Sequence, residues 1–328
     1  MDCLDCNFGT KIFIGSEIDI KAKKLAIITD SNVAKLHSAT LSQKLGTIEH
    51  TFFPFPAGEA SKTRKTKERL EDLLLSNGFG KECSIVGFGG GAVTDLAGFI
   101  AATYMRGVPF YAIPTTLMGM VDAAIGGKTS VNTPAAKNAI GCFYPARNIY
   151  IDPSYLDTLP EQEILSGFAE VYKYAFIAEP GLLSINNMKD LITMSCHVKK
   201  LVVEKDMFET GYRRILNFGH TIGHALEAAS GFQIPHGFAV ALGMRAESWI
   251  SYALGHLPKE DFDLIEKTLK RYPKPPTLSK KKIMEALSHD KKPGFVLLKR
   301  IGAPMEFDGM FCSPVEGELI EEALSHIC

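Results

Sequence analysis

Short β-branched runs alternate with amphipathic stretches through the first half of the chain, and that alternation predicts a parallel α/β layer. KLAIITD reads as a strand ending at Asp30, and the NVAKLHSATLSQKL that follows it is amphipathic. HTFFPFPAGEAS carries the chain to a turn. KTRKTKERLEDLLLSNG then repeats leucines at helical spacing and stops at Asn77 and Gly78. CSIVGFGGG predicts a buried strand running into a glycine loop, AVTDLAGFIAATYMRG the helix after it, and VPFYAIPTT one more strand. From Pro160 the pattern changes: PEQEILSGFAEVYKYAFI and almost everything beyond it repeat with a period of about 3.6, so the second half is expected to be helical. RYPKPPTLSKKK reads as a linker and GFVLLKRIGAP as a short hairpin. The expected class is α/β plus all-α, with an α/β domain over residues 1–159 and a helical domain over 160–328.

Composition supports this division without choosing a chemistry. A chain of 328 residues with 46% hydrophobic content can bury a sizeable core and suggests two domains more readily than one. Its 36 basic residues nearly cancel its 37 acidic ones, so no global field draws nucleic acid or an anionic membrane surface; neither is expected as a partner. Any anion it binds must meet a local cluster. The longest uncharged apolar run, GVPFYAIPTTLMGMV, is fifteen residues with two prolines, short of the roughly 20 needed to span a bilayer. MDCLDCNFGTKIF has no apolar leader, and the expected location is cytoplasmic. Seven cysteines, an odd number spread over the chain, fit a reducing compartment. The lone CxxC of Cys3 and Cys6 has no second pair and reads as two free thiols.

Candidate chemistry lies in three clusters. VGFGGGAVTD places Gly87, Gly89, Gly90 and Gly91 between a strand and a helix start, where backbone N–H groups and the helix dipole favour a pyrophosphate. In a standard dinucleotide fingerprint the acidic residue follows the glycines. Here Asp30 precedes them, so a nucleotide loop and a tight structural turn both remain open. YMRG, VDAAIGGKT and AAKNAIG contribute Arg106, Asp122, Lys128, Lys137 and Asn138 among small residues, a composition suited to an anion pocket. GFAEVYKY puts Glu170 and Lys173 on one helix face, and GYRRILNFGH adds Arg213 and Asn217. His220 and His224, four residues apart, share a face, while His236 follows Pro235 and is expected in a loop. No glutamate stands between His220 and His224, which excludes the metalloprotease helix pattern.

Taken together, GGGAVTDLAGFIAATYMRG, PTTLMGMVDAAIGGKTSVN, KNAIGCFYPARNIYID, GFAEVYKY and GYRRILNFGHTIGHALEA resemble the 3-dehydroquinate synthase family of sugar-phosphate cyclases, from about Asp30 to Met244. The resemblance implies a homodimer with an N-terminal Rossmann-like NAD⁺-binding domain and a C-terminal helical domain that holds a divalent metal, zinc first and cobalt as an alternative. It implies conversion of 3-deoxy-D-arabino-heptulosonate 7-phosphate, a sugar phosphate acid, to 3-dehydroquinate and phosphate in the shikimate pathway. Transient oxidation at C5 acidifies the C6 proton, phosphate leaves from C7, hydride returns, and an aldol closure forms the ring.

Carried over by position, the resemblance makes Glu170, His220 and His236 the metal ligands and leaves His224 as a catalytic or substrate-orienting group. It assigns Asp30, Asn32, Gly58, Glu59, Lys62, Gly90, Gly91, Asp95, Thr115, Thr116, Lys128, Lys137, Tyr155 and Thr158 to the nucleotide. Asp122, Lys128, Asn138, Lys173, Lys199, Arg213, Asn217 and one of Lys291 or Lys292 match substrate-contacting positions, and Arg106 one that reaches the neighbouring subunit's phosphate site. Phe238 departs from the family, which commonly has glutamate there; the loss either weakens metal affinity or is made good by another partner. The rival readings are a cyclase for a substrate without the carboxylate, a polyol dehydrogenase releasing NADH, and a catalytically dead nucleotide-binding protein.

Overall fold

The computed structural model of the chain describes residues 2–15, 17–134, 136–273, 278–288 and 294–327. Its contacts divide it into two compact units: residues 1–160 with 187–200, and residues 161–186 with 201–328. The stretch 187–200, helical in pattern, therefore clusters with the first unit.

The first unit is built on a seven-stranded sheet. Its strands in chain order are β1 (Asp2–Asp5), β2 (Lys11–Ile14), β3 (Lys24–Asp30), β4 (Glu49–Phe55), β5 (Ser84–Gly89) and β6 (Phe110–Pro114). A separate hairpin of β7 (Lys128–Val131) and β8 (Ile140–Phe143) follows, and β9 (Asn148–Ile151) returns to the main sheet. The spatial order is β1-β2-β9-β6-β5-β3-β4, parallel except for β1 against β2. β5 is buried along its whole length and β3 along its centre, as expected for parallel strands covered on both faces and consistent with their unbroken apolar runs. The connecting helices are α1 (Ser31–Leu45), α2 (Arg64–Ser76) and α3 (Gly91–Thr103). Asp30 caps α1 by accepting the Asn32 and Val33 N–H groups at 2.8 and 3.0 Å, and Thr63 caps α2 through Thr66 N–H at 3.1 Å. Cys3 is exposed, Cys6 is buried and both are free thiols.

The second unit is helical, with α4 (Glu161–Ile177), the end of α5 (Met188–Lys205), α6 (His220–Ala229), α7 (His236–Ala253), α8 (Lys259–Leu269), α9 (Lys280–Ser288) and α10 (Gly317–Ile327). GFVLLKRIGAP does form a short antiparallel pair, β10 (Leu298–Arg300) with β11 (Ala303–Pro304). α7 is the centre of this unit, packed by α4, α6, α8 and α10. Its run from Gly237 to Met244 is buried throughout, so it is apolar all round rather than striped. No helix among the described residues is long and apolar enough to cross a membrane.

Candidate active site

Strand order brings together residues that the sequence keeps apart. β4 lies on one side of β3 and β5 on the other, so the chain reverses its direction of winding at β3, and the crevice at the carboxyl ends of such strands is where α/β sheets bind ligands. Asp30 ends β3, Gly89 ends β5 and Thr115 follows β6, on three adjacent strands. Asp30 and the glycines, out of order in the sequence for a fingerprint, thus stand side by side at the carboxyl ends of the strands.

Gly90 caps α3 without a side chain, leaving the helix start open to an anion. The backbone here admits little else: a Cβ on Gly89, at φ +158°, would lie 2.6 Å from Val93 Cγ2, and one on Gly90 would lie 3.0 Å from Thr116 Cγ2. Thr116 Oγ1 also accepts the Gly119 N–H at 3.0 Å, and Thr115 is buried. Asn32 is the second residue of α1, and Gly91 the first of α3. Beyond β4, Gly58 (φ +102°) opens the turn carrying Glu59, whose carboxylate accepts from Asn132 at 2.7 Å. Lys62 is almost wholly buried and donates to both Asp95 and Asn138 Oδ1, the latter at 2.6 Å. Ser130 joins that network, donating to Asn138 at 2.9 Å and to Asp95 at 3.2 Å. Burial raises the Asp95 carboxyl against the pull of the Lys62 ammonium. Asn138, expected at the substrate, therefore accepts from Lys62 and shares that donor with Asp95, both expected at the nucleotide. Beyond β9, Tyr155 is buried against Phe88 and His37, and burial pushes its phenol up to about 12; Thr158 Oγ1 meets His37 Nε2 at 2.8 Å.

Asp122 lies in a single π-helical turn, Gly119–Ala123, a distortion often found at functional sites. It pairs with buried Lys199 at 2.6 Å, within the same unit. Lys128 and Arg106 are exposed and Lys137 half-buried. Lys291 and Lys292 lie outside the described residues.

In the second unit, α4, α6 and α7 converge on Glu170, His220 and His236. Glu170 Oε1 is 3.7 Å from His220 Nε2 and 3.6 Å from His236 Nε2, and the three donor atoms lie within 4.8 Å of one another. Ligand atoms about 2 Å from a tetrahedral zinc stand a little over 3 Å apart, so the set fits a divalent ion with modest contraction. Lys173 holds the other Glu170 oxygen, which leaves Oε1 to the imidazoles. Electrostatics agree with the geometry. Burial and the Lys173 charge hold His220 well below the usual histidine range. Burial also acts to lower His236, but the Glu170 and Glu227 carboxylates outweigh it and push the imidazole up to about 10.

His236 is not in a loop as expected. It is the first residue of α7, with Pro235 in the cap position. A helix start tolerates proline because its early N–H groups have no helical partners. His224 is exposed, its ring 5.4 Å from that of His220 and 5.9 Å from that of His236.

Glu227 is the residue at this cluster that sequence reasoning missed. It is 2% exposed and meets His236 Nδ1 at 3.2 Å, leaving Nε2 to face Glu170. That contact gives the His236 ring a carboxylate partner. Phe238 is instead buried edge-on against Tyr272, whose hydroxyl donates to Leu165 O at 2.8 Å. The available signal was the spacing His220-x₆-Glu227 on one apolar helix, but nothing in it named His236 as the partner.

Arg213 is buried and donates through Nη1 to Met207 O at 2.6 Å. Asp206 shapes its turn, accepting N–H groups from Thr210, Gly211 and Arg213 at 3.0, 2.8 and 3.0 Å. Partial burial raises the Asp206 carboxyl, but these bonds prevail and bring it to about 2. Asn217 donates to Glu209 at 2.8 Å.

Family models match both units' sequences. One described as 3-dehydroquinate synthase N-terminal covers residues 52–166, and one described as 3-dehydroquinate synthase C-terminal covers 167–293. The chain belongs to the 3-dehydroquinate synthase family. It is 40% identical over 288 residues to the 3-dehydroquinate synthase of Streptococcus thermophilus, covering 82% of this chain and 81% of that one. Among solved structures it resembles a 2-deoxy-scyllo-inosose synthase complexed with carbaglucose-6-phosphate, NAD⁺ and Co²⁺, at a TM-score of 0.92 and 24% identity over the whole of both chains. It also resembles the 2-epi-5-epi-valiolone synthase of Streptomyces hygroscopicus subsp. jinggangensis, with NAD⁺ and Zn²⁺ bound, at a TM-score of 0.82 and 25% identity over 93% of this chain and 91% of that one.

Proposed function

We propose that this chain converts 3-deoxy-D-arabino-heptulosonate 7-phosphate to 3-dehydroquinate and phosphate, in the shikimate pathway, with NAD⁺ and a divalent metal. The observation that carries the reading is the buried Glu170, His220 and His236 donor set, in a family member 40% identical to a curated 3-dehydroquinate synthase. When bound, NAD⁺ takes and returns a hydride at C5, and the metal acts as a Lewis acid on the substrate's oxygens.

In this reading Glu170, His220 and His236 hold the metal, and Glu227 fixes the His236 ring so that Nε2 is offered to it. Arg213 takes the substrate carboxylate, Lys173 steadies Glu170, and His224, exposed on the ligand helix, orients the substrate or moves its proton. Asp122, Lys128, Asn138, Lys199 and Asn217 also contact substrate. Asp30, Asn32, Gly58, Glu59, Lys62, Gly90, Gly91, Asp95, Thr115, Thr116, Lys128, Lys137, Tyr155 and Thr158 bind the nucleotide. The enzyme is a cytoplasmic homodimer in which Arg106 serves the neighbour's phosphate site.

The test is phosphate release from the heptulosonate phosphate with NAD⁺ and zinc, with and without a chelator. Stoichiometric phosphate without net NADH is the expected result, and no turnover after both additions refutes the reading. A monomer's mass in sedimentation refutes the dimer. The likeness to the valiolone synthase favours a second reading, a cyclase for a sugar phosphate without the acid. Turnover of a sugar phosphate lacking the carboxylate, in preference to the acid, would establish it.

A further inference from the structure

The two helices that carry the metal-facing histidines run antiparallel at backbone contact. Gly219, Gly223 and Glu227 of the α6 segment face, in turn, Gly243 with Met244, Ala239 with Val240, and His236 of α7. A Cβ on Gly243 would lie 1.9 Å from Gly219 O, and one on Gly219, at φ +80°, would lie 2.6 Å from Val240 O. Such a seam sets the separation of the helices. A slide of one helix along the other would carry His220 away from His236 and Glu170.

Two carboxyl groups tie the helices together, one at each end. At the far end of α6, Glu227 meets His236 Nδ1. At the near end, Glu247, one helical turn beyond Gly243, turns its side chain back and accepts the Gly219 N–H through Oε2 at 3.0 Å. Gly219 immediately precedes His220. The backbone N–H groups of Ile222 and Val296 also act on this carboxyl group. Glu247 is 0% exposed, and its Oε1 has no hydrogen-bond partner among the described residues. A buried carboxyl group whose second oxygen lacks a well-formed hydrogen bond is costly. The remaining ligand segment is tied in the same way: Ser166, one turn before Glu170 on α4, accepts the N–H of Gly237, next to His236, at 3.1 Å.

We infer that Glu247 is a positioning residue for the metal site, pinning the start of α6 to α7 so that His220 stands in register with His236 and Glu170. The inference rests on the ligand assignment proposed above.

The test uses the full chain, stripped of metal and titrated with Co²⁺, with NAD⁺ affinity measured in parallel. Glu247→Leu is expected to weaken Co²⁺ binding about tenfold or more and alter the visible spectrum of the bound ion, leaving NAD⁺ affinity unchanged. Glu247→Gln, which keeps an oxygen for the Gly219 N–H, is expected to stay within about threefold of wild type. Wild-type Co²⁺ affinity and spectrum in Glu247→Leu overturn the inference, as does a Gln variant as weak as the Leu one. Should the Leu variant lose NAD⁺ affinity as well, a sign of general misfolding, Glu247→Asp decides by the same measurement. Its shorter side chain draws the carboxyl group away from Gly219; weaker Co²⁺ binding supports the inference, and unchanged binding overturns it. His220→Ala separates the two levels. Co²⁺ bound by it as by wild type overturns the ligand assignment and this inference with it, whereas its loss beside an unaffected Glu247→Leu overturns this inference alone.

Discussion

Glu247 makes the second unit's stability depend on pH in a way that can be worked out. Burial pushes its carboxyl from an ordinary 4.5 up to about 8, despite the backbone N–H groups that favour the ionised form. The folded protein therefore holds this proton more tightly than the unfolded chain does. The associated stability is fully present below about pH 4.5 and is lost as pH rises through about 8. At about 1.4 kcal/mol per pH unit the whole effect is about 5 kcal/mol, and about 3 kcal/mol of it falls between pH 5 and pH 8. Glu247→Gln is nearly isosteric with the protonated acid and removes the titration. The chain's one tryptophan, Trp249, lies two residues along the same helix, so guanidinium unfolding followed by its fluorescence reports on this unit. Between pH 5 and pH 8 the wild type is expected to lose about 3 kcal/mol more stability than the Gln variant, other titrating groups cancelling in the difference. Parallel pH profiles for the two proteins would refute the reasoning.

Glu227→Gln should weaken zinc or cobalt binding by about tenfold to a hundredfold with NAD⁺ affinity unchanged, because His236 loses the carboxylate that orients its ring; equal metal affinity by competition with a chelator would show that the contact carries no such role. Asp206→Ala should free the turn that presents Arg213, raising KM for the heptulosonate phosphate by about tenfold with a smaller change in kcat. An unchanged KM would mean that the turn holds its shape without the carboxylate.

Most of the elements were legible because their causes are local. KLAIITD and CSIVGFGGG have the apolar runs that strands covered on both faces require, and PEQEILSGFAEVYKYAFI repeats at a helix's period. His236 escaped because proline before a histidine suits a loop and a helix start equally well. Packing of the next eight residues against α4 and α6 chose the helix. Asn138 reads along the chain as a member of an anion pocket, and only the fold brings Lys62 and Ser130 to it.

The sequence by itself determined the two kinds of secondary structure, the glycine loop, and the ordered blocks that place the chain in its family and carry the proposed metal ligands. Periodicity, caps and turns are properties of neighbours along the chain, so they can be read there. Tertiary structure alone decided which groups meet. Asp30 comes beside the glycine loop because β3 and β5 are neighbours in the sheet, and Glu227 and Glu247 bind α6 to α7 because glycines let those helices touch. Glu227 reaches His236, nine residues downstream, across a helix pair that no spacing rule describes.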